Sequence, residues 1–244
     1  MLDFDAFFAE YCRIFKQNNL EKFCEKKTVQ LFYNFTKLLI EENSHTNLTA
    51  IREIPDIITK HYVDCLLPEF CFPQDATVLD VGCGGGFPTI PLAIARPDLK
   101  ITAIDSTLKK INFVQKAADA LGLSNVTAIC ARAEAPELKK FRESFDVVTS
   151  RAMARMPVLI ELTLPFVKIG GHMIALKGAQ GEVELAESMR AISTLGGNFS
   201  PNCKKFTLTA DTGDESRSIL IVEKCSPTAQ IYPRNYSIIC KKPL

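Results

Sequence analysis

The feature that most constrains the fold is the segment 78–87, VLDVGCGGGF, where an apolar run gives way to a glycine-rich one. The apolar run is typical of a buried strand, and the residues after the glycines are typical of a helix: Ile90, Leu92, Ala93 and Ile94. Glycines at 82, 84 and 86 allow positive φ angles and let the backbone approach a ligand closely. This order predicts the first unit of a parallel sheet whose carboxyl edge holds a nucleotide-like cofactor.

From residue 77 onward, short β-rich segments alternate with amphipathic helices. The strand candidates are residues 77–81, 100–104, 126–130, 145–150 and 172–177. One predicted helix carries Ile111, Val114, Ala117, Ala118 and Leu121 on a single face. A second helix is predicted over residues 158–169 and ends at the C-cap signal Gly170-Gly171. Such alternation predicts a parallel sheet covered by helices on both sides.

The two ends of the chain differ from this middle part. In residues 1–70, aromatic and aliphatic residues recur at helical spacing, which predicts a helical extension. Near the other end, residues 206–210 and 218–223 are separated only by a turn and predict a hairpin. We therefore expect an α/β fold with a Rossmann-like, mostly parallel, seven-stranded sheet and an antiparallel edge strand. Residues 1–70 form the predicted N-terminal helical extension, and residues 71–244 form the predicted core domain.

Composition limits the classes of partner. The net charge of +1 gives no global attraction to nucleic acid, so an RNA site must be a local basic patch. The nine cysteines are scattered without CxxC pairs and are expected to be reduced thiols. The N-terminus lacks the pattern of a signal peptide, and no apolar run approaches the ~20 residues of a membrane span. We expect a cytoplasmic protein without a membrane partner, and nothing requires more than a monomer.

The type of cofactor follows from the glycine loop and two later positions. A dinucleotide fingerprint requires a third glycine where this chain has Phe87, and here the extra glycine is Gly86. Asp105, after the second predicted strand, is placed to accept both hydroxyls of a ribose, which NAD and S-adenosylmethionine share. The pair Ala133-Glu134 follows the third predicted strand, where a turn flanks an adenine. Together these features favour S-adenosylmethionine over NAD.

Several segments then resemble one bacterial family, the 16S rRNA guanine-N7 methyltransferases, also called glucose-inhibited division protein B. The segments are NLTAI at 47–51, KHYVD at 60–64, GFPTIPLAI at 86–94, TSRA at 149–152, ALKG at 175–178, YPR at 232–234 and KKPL at 241–244. The similarity extends from about residue 30 to the end of the chain. Thr89 stands where that family commonly has glycine.

The resemblance implies a class I S-adenosylmethionine-dependent methyltransferase that acts on N7 of a guanine in the 530 loop of 16S rRNA. Its partner is then 16S rRNA or the small ribosomal subunit. The positions that the resemblance assigns to the cofactor site fall into four groups. Gly82 and Phe87 lie on the methionine side, Asp105 at the ribose, Ala133 and Glu134 by the adenosine, and Arg151 closes over the site. Gly84, in the same glycine loop, is a further predicted cofactor-binding residue.

The chemistry expected at N7 requires little from side chains. Guanine N7 carries a lone pair and no proton, so methyl transfer to it needs positioning and no general base. Accordingly, no metal site is expected and no catalytic residue is assigned, with Arg151 and His61 as candidates. His61 and Asp64 are three residues apart, which places them on one helix face. Either they bond to each other and hold the extension on the core, or His61 lies near the cofactor or the guanine.

Two other functions remain open at this point. The first is an S-adenosylmethionine-dependent methyltransferase with a small-molecule or protein acceptor. The second is a non-catalytic RNA-binding protein, against which the intact glycine loop, Asp80 and Asp105 argue. RNA binding would use a basic rim, for which the sequence offers Arg155, Lys109-Lys110, Lys177, Lys204-Lys205, Arg234 and Lys241-Lys242.

Overall fold

The computed structural model describes residues 3–199 and 203–244. Its strands, numbered β1 to β8 in chain order, are Thr77–Val81, Lys100–Asp105, Val126–Cys130, Phe145–Arg151, Val167–Lys177, Gly197–Phe199, Lys204–Leu208 and Glu215–Lys224. The longer helices are Phe4–Gln17, Lys26–Asn43 and Leu108–Leu121. Shorter helices are Thr89–Ala95, Met156–Thr163, Gly181–Glu187, Met189–Thr194 and Tyr236–Lys241. None of the helices in these described ranges is long and apolar enough to cross a membrane.

The sheet has the order β3-β2-β1-β4-β5-β8-β6, and β7 also pairs with β8. Strands β1 to β5 are parallel to their neighbours, whereas β8 runs antiparallel to β5, β6 and β7. Residues of β1 alternate between two apolar clusters, with Val78 in one and Leu79 and Val81 in the other. Both faces of the sheet are therefore buried, as the strand–helix alternation predicts.

The strand predictions are confirmed, with one addition at the edge. The predicted hairpin is β7 and β8, which pair in antiparallel register from Leu208 opposite Glu215 to Lys204 opposite Ile219. The sequence pattern missed the short strand β6, which pairs with a later part of β8, from Val222 to Lys224. Because β6 and β7 lie end to end along the same neighbour, the sheet has eight strands in seven positions.

The predicted helix over residues 158–169 is wrong at its end. The helix stops at Thr163, a short 3-10 turn spans Leu164–Phe166, and β5 begins at Val167. Pro165 has no backbone N–H to donate to the carbonyl of Glu161, so the α-helical hydrogen bonding ends and a 3-10 turn follows. Gly170 and Gly171 lie inside β5 and do not cap a helix. The helix Leu108–Leu121 buries all the residues predicted for its inner face.

The N-terminal helices share an apolar cluster with the sheet. A series of aromatic contacts links them, with ring centroids 5.3 Å apart for Tyr11 and Phe32, 4.8 Å for Phe32 and Tyr62, and 5.7 Å for Phe35 and Phe87. The series therefore extends from the first helix to the glycine loop. The division of the chain into residues 1–70 and 71–244 stays a prediction.

The segment from Ile54 to Leu66 is one continuous helix with an irregular middle. Ile54–Ile57 and Asp64–Leu66 are α-helical, and Ile58–Val63 between them is a π-helix. The backbone N–H of Asp64 bonds to the carbonyl of Thr59, five residues earlier. π-helical turns inside α-helices are frequent at functional sites. Here the π-helix carries His61 toward the glycine loop.

Candidate active site

The glycine loop begins where β1 ends. Gly82 has a φ of +78°, and its N–H donates to the carbonyl of Ile104 on β2 over 2.8 Å. A Cβ at Gly82 would lie 2.8 Å from Cγ and Sδ of Met153, so this position leaves no room for a side chain. The loop is thus fixed in a left-handed conformation close to the sheet, which glycine adopts without strain.

Asp105 joins the end of β2 to this loop. Its Oδ2 accepts from the N–H of Gly84 over 3.1 Å, and its Oδ1 accepts from the N–H of Thr107 over 2.8 Å. Each carboxylate oxygen has further lone pairs that accept hydrogen bonds. The carboxylate is therefore oriented by the backbone and still has acceptor capacity for the hydroxyls of a ribose.

A cavity of about 330 Å³ opens at the carboxyl ends of β1, β2 and β3. Residues from each strand end line it, together with residues from three later segments: Val81, Gly82, Ile104, Asp105, Ser106, Ala131, Arg132, Ala133, Glu134, Met153, Leu162 and Tyr236. Two carboxylates, a guanidinium and apolar side chains meet in this cavity. Such a lining fits S-adenosylmethionine, which carries a ribose, an adenine and a charged methionine group.

Four of the seven cofactor-site residues from the sequence line this cavity: Gly82, Asp105, Ala133 and Glu134. Gly84 is tied to the cavity through its hydrogen bond to Asp105. Phe87 and Arg151 lie outside the lining, in a separate cluster described below. Glu134 accepts from Nε of Arg132 over 2.8 Å, which fixes the turn after β3. The cofactor roles of these residues stay predictions.

Asp80 lies beneath the loop and is fully buried. Its Oδ2 accepts from the hydroxyl of Thr89 over 2.6 Å, whereas Oδ1 has no hydrogen-bond partner among the described residues. Burial raises the pKa of Asp80 to about 7, although the hydrogen bonds from Thr89 favour the charged form. At the position where the resembling family commonly has glycine, Thr89 therefore donates a hydrogen bond to the buried carboxylate of Asp80.

The second cluster is built around His61. Its Nε2 lies 2.8 Å from Oγ1 of Thr49, and its Nδ1 lies 2.9 Å from Nη2 of Arg151. The imidazole ring stacks on Phe87, with ring centroids 4.1 Å apart and an interplanar angle of 13°. The Arg151 guanidinium lies over the same Phe87 ring at 5.3 Å. The cluster therefore joins the π-helix, the end of β4 and the end of the glycine loop.

The protonation state of His61 follows from these contacts. Arginine has no acceptor, so Nδ1 of His61 must accept from Arg151, and the ring proton sits on Nε2 and points to Thr49. Burial and the charge of Arg151 both lower the pKa of His61, to about 3. The imidazole is consequently neutral near pH 7 with its lone pair already engaged, so it offers no free base.

Asp64 and His61 are linked through Arg151. Nη1 of Arg151 donates to Oδ2 of Asp64 over 3.1 Å, and Nε of Arg217 donates to Oδ1 over 2.7 Å. Of the two alternatives for His61 and Asp64, the direct bond between them is therefore wrong. The i, i+3 rule assumes an α-helix, and the π-helix ending at Val63 changes the direction of the side chains. Arg151, at the end of β4, therefore bonds to both Asp64 and His61.

Two residues of the expected basic rim serve as structural ion pairs. Lys177 donates to Glu184 over 2.8 Å with only 9% of its side chain exposed, and Arg234 binds the buried Glu161. Arg155 is exposed and pairs with Glu187. Sequence reasoning also missed Tyr236 in the cavity lining. No local pattern marks it, because only the tertiary fold brings the C-terminal segment to the end of β3.

Comparison with known proteins shows the family of the chain. The family model described as rRNA small subunit methyltransferase G matches residues 28–207. A protein named ribosomal RNA small subunit methyltransferase G from Clostridium botulinum is 40% identical over 241 residues, covering 98% of this chain and 99% of the relative. The protein of that name from Brevibacillus brevis is 45% identical over 216 residues, covering 87% and 90%.

Solved structures agree on the fold. The O-methyltransferase from Bacillus cereus in complex with SAH has a TM-score of 0.54 at 18% identity, covering 78% of this chain and 90% of that one. The YcgJ protein from Bacillus subtilis has a TM-score of 0.51 at 13% identity, covering 66% and 97%. The expected methyltransferase fold is confirmed. On the family model and the identity of these relatives, the chain belongs to the rRNA small subunit methyltransferase G family.

Proposed function

We propose that the protein transfers a methyl group from S-adenosylmethionine to N7 of a guanine in the 530 loop of 16S rRNA. The observation that carries the proposal is the cavity of about 330 Å³ at the carboxyl ends of β1, β2 and β3, in a chain of this family. In open α/β sheets, ligands bind outside the carboxyl ends of the strands. This rule supports the cavity as the cofactor site of the proposal.

The order of the strands supports one orientation of S-adenosylmethionine in the cavity. Because β2 lies between β1 and β3, Asp105 lies between the glycine loop and the Ala133-Glu134 turn. In the proposed arrangement, Asp105 holds the ribose, and Gly82 and Gly84 lie on the methionine side with Phe87. Ala133 and Glu134 then flank the adenosine. Arg151 closes the methionine side, since its guanidinium lies over the Phe87 ring.

The proposed reaction requires the protein to position the cofactor and the guanine. When bound, S-adenosylmethionine supplies an electrophilic methyl group. Guanine N7 presents a lone pair without a proton, so no side chain must act as a base. His61 fits this requirement, because its Nδ1 lone pair is engaged by Arg151 and its pKa is about 3. We propose that His61 and Arg151 orient the reactants and transfer no proton.

The substrate is a base inside structured RNA, so the protein must bind phosphates and accept an unpaired or extruded guanine. The net charge of +1 limits this to a local surface. Arg155, Lys177, Lys205 and Arg234 are engaged in ion pairs. We therefore propose that Lys109-Lys110, Lys204 and Lys241-Lys242 contact the phosphates. We further propose that the protein acts as a monomer in the cytoplasm.

The test is transfer of labelled methyl from S-adenosylmethionine to small subunits and to naked 16S rRNA from cells that lack this protein. The modified base is mapped by chain cleavage specific for N7-methylguanine. Label at a single guanine N7 within the 530 loop supports the proposal. Measurable cofactor binding without label in either RNA would contradict it and would favour a small-molecule or protein acceptor.

A further inference from the structure

The C-terminal segment is fixed across the end of the sheet by buried contacts. Glu161 is fully buried. Its carboxylate accepts three hydrogen bonds from Arg234: from Nε over 2.8 Å, from Nη2 over 2.6 Å and from the backbone N–H of Arg234 over 2.8 Å. Arg142 donates to the carbonyls of Thr228, over 2.9 Å, and Tyr232. Charge-assisted bidentate contacts of this kind hold a segment in a defined position.

The helix Tyr236–Lys241 follows directly and is also anchored. Oδ1 of Asn235 accepts from the N–H of Ser237 over 3.0 Å and caps the helix. Ile239 is fully buried in the apolar cluster that includes Ile104 and Ala133. These contacts place the first residue of the helix, Tyr236, in the lining of the cofactor cavity.

Tyr236 adjoins the turn after β3. The guanidinium of Arg132 lies 5.1 Å from the centre of the Tyr236 ring, and Arg132 in turn donates to Glu134. Tyrosine, arginine and the Ala133-Glu134 turn therefore form one wall of the cavity, on the side of Asp105 away from the glycine loop. Adenine is the only aromatic part of S-adenosylmethionine, and aromatic and guanidinium groups stack on bases.

We infer that Tyr236 is a cofactor-binding residue that contacts the adenine, so that the C-terminal helix forms part of the cofactor site. The inference rests on the proposed function, because it takes the cavity as the S-adenosylmethionine site. It adds an aromatic residue from the far end of the chain to the strand-end residues Asp105, Ala133 and Glu134. The Arg234–Glu161 pair becomes a positioning contact for that residue.

The first measurement is calorimetric binding of S-adenosylhomocysteine to three variants. Tyr236→Ala should raise the dissociation constant about tenfold, since stacking on a base is lost. Tyr236→Phe keeps the ring and should stay within about twofold of the wild type. Ile238→Ala is the matched control, because Ile238 lies on the same helix and is 50% exposed. Thermal unfolding of each variant shows whether the helix is retained.

A fourth variant supplies a direct readout. The chain has five tyrosines and no tryptophan, so Tyr236→Trp places a unique fluorophore in the cavity wall. Its emission should change on saturation with S-adenosylhomocysteine or adenosine, and not with methionine alone. Unchanged emission, or equal affinity of Tyr236→Ala and Ile238→Ala for S-adenosylhomocysteine, would overturn this inference and leave the proposed function in place. Absence of S-adenosylhomocysteine binding by the wild type would overturn the proposed function and this inference with it.

Discussion

Arg151 donates from Nη2 to Nδ1 of His61 over 2.9 Å, which connects the end of β4 to the π-helix Ile58–Val63. The contact engages the imidazole lone pair and holds the ring flat against Phe87. A residue whose position and type resemble those of a general base is therefore held neutral and without a free acceptor. This agrees with methylation of a nitrogen that has no proton to lose.

The protonation of His61 predicts one pH dependence. Its pKa is about 3 in the folded chain, against an ordinary value of 6.5. Between these values the unfolded chain binds more protons, so the stability that His61 contributes is full above pH 6.5. It falls as the pH drops toward 3, by up to about 1.4 kcal/mol per pH unit. The His61→Gln variant should lose this dependence, as measured by urea unfolding at a series of pH values.

Asp80 predicts the opposite dependence. Its pKa is about 7 in the folded chain, against an ordinary value of 3.8. The folded chain binds more protons in this interval, so the contribution of Asp80 is full below pH 3.8 and is lost as the pH rises toward 7. The isosteric Asp80→Asn variant removes the effect and keeps an oxygen for the hydroxyl of Thr89.

Between pH 3.8 and 6.5 the two effects oppose each other in the wild type. We expect the free energy of unfolding to be nearly flat in this interval for the wild type. It should fall with rising pH for His61→Gln and rise for Asp80→Asn. Parallel curves for the three proteins would show that neither group titrates as described.

Arg151 is tested by a substitution that keeps its charge. Arg151→Lys loses the planar fork that contacts Asp64, His61 and the carbonyl of Lys60 together, and a compact ammonium does not replace it. We expect the affinity for S-adenosylhomocysteine to fall about tenfold. Arg217→Lys is the control, because Arg217 binds the same Asp64 from β8. Equal affinities of the two variants would remove Arg151 from the cofactor site.

Much of this site was predictable because its residues follow the ends of strands. The pattern at 77–81, 100–104 and 126–130 places Gly82, Asp105 and Ala133 at one edge once the sheet is parallel. The end of the helix predicted over residues 158–169 was wrong because a double glycine, here Gly170-Gly171, is a local C-cap signal. The α-helix ends earlier, at Thr163, before Pro165. A local sequence pattern does not show that a strand continues through two glycines, as β5 does.

Contacts between distant segments were beyond the sequence pattern. The partner of Asp64 lies 87 residues away at Arg151, and a second lies 153 residues away at Arg217. Tyr236 reaches the cavity only because Arg234 and Ile239 fix the C-terminal segment on the core. Such placements depend on the packed fold, and neither spacing nor residue type encodes them locally.

The glycine loop gives a prediction with a close control. Gly82→Ala requires an alanine at φ +78° and puts a Cβ 2.8 Å from Met153. Gly122→Ala requires a similar conformation, φ +68°, with nothing within 4 Å of the new atom. Both should lose about 1–2 kcal/mol of stability from left-handed strain, and Gly82→Ala should lose more because Met153 must shift. Only Gly82→Ala should weaken binding of S-adenosylhomocysteine, because only Gly82 lines the cavity. Equal binding by both variants would contradict this role.

The Arg234–Glu161 pair predicts the largest loss of stability. Glu161 is fully buried, so Arg234→Ala leaves a carboxylate without its partner and should cost about 3–5 kcal/mol in denaturant unfolding. Arg13→Ala is the comparison, because Arg13 binds Glu10 and Asp211 at the surface. Solvent screens that pair, so its loss should be far smaller. Similar losses in the two variants would mean that the C-terminal segment is not held through Glu161, and the position of Tyr236 would then need another anchor.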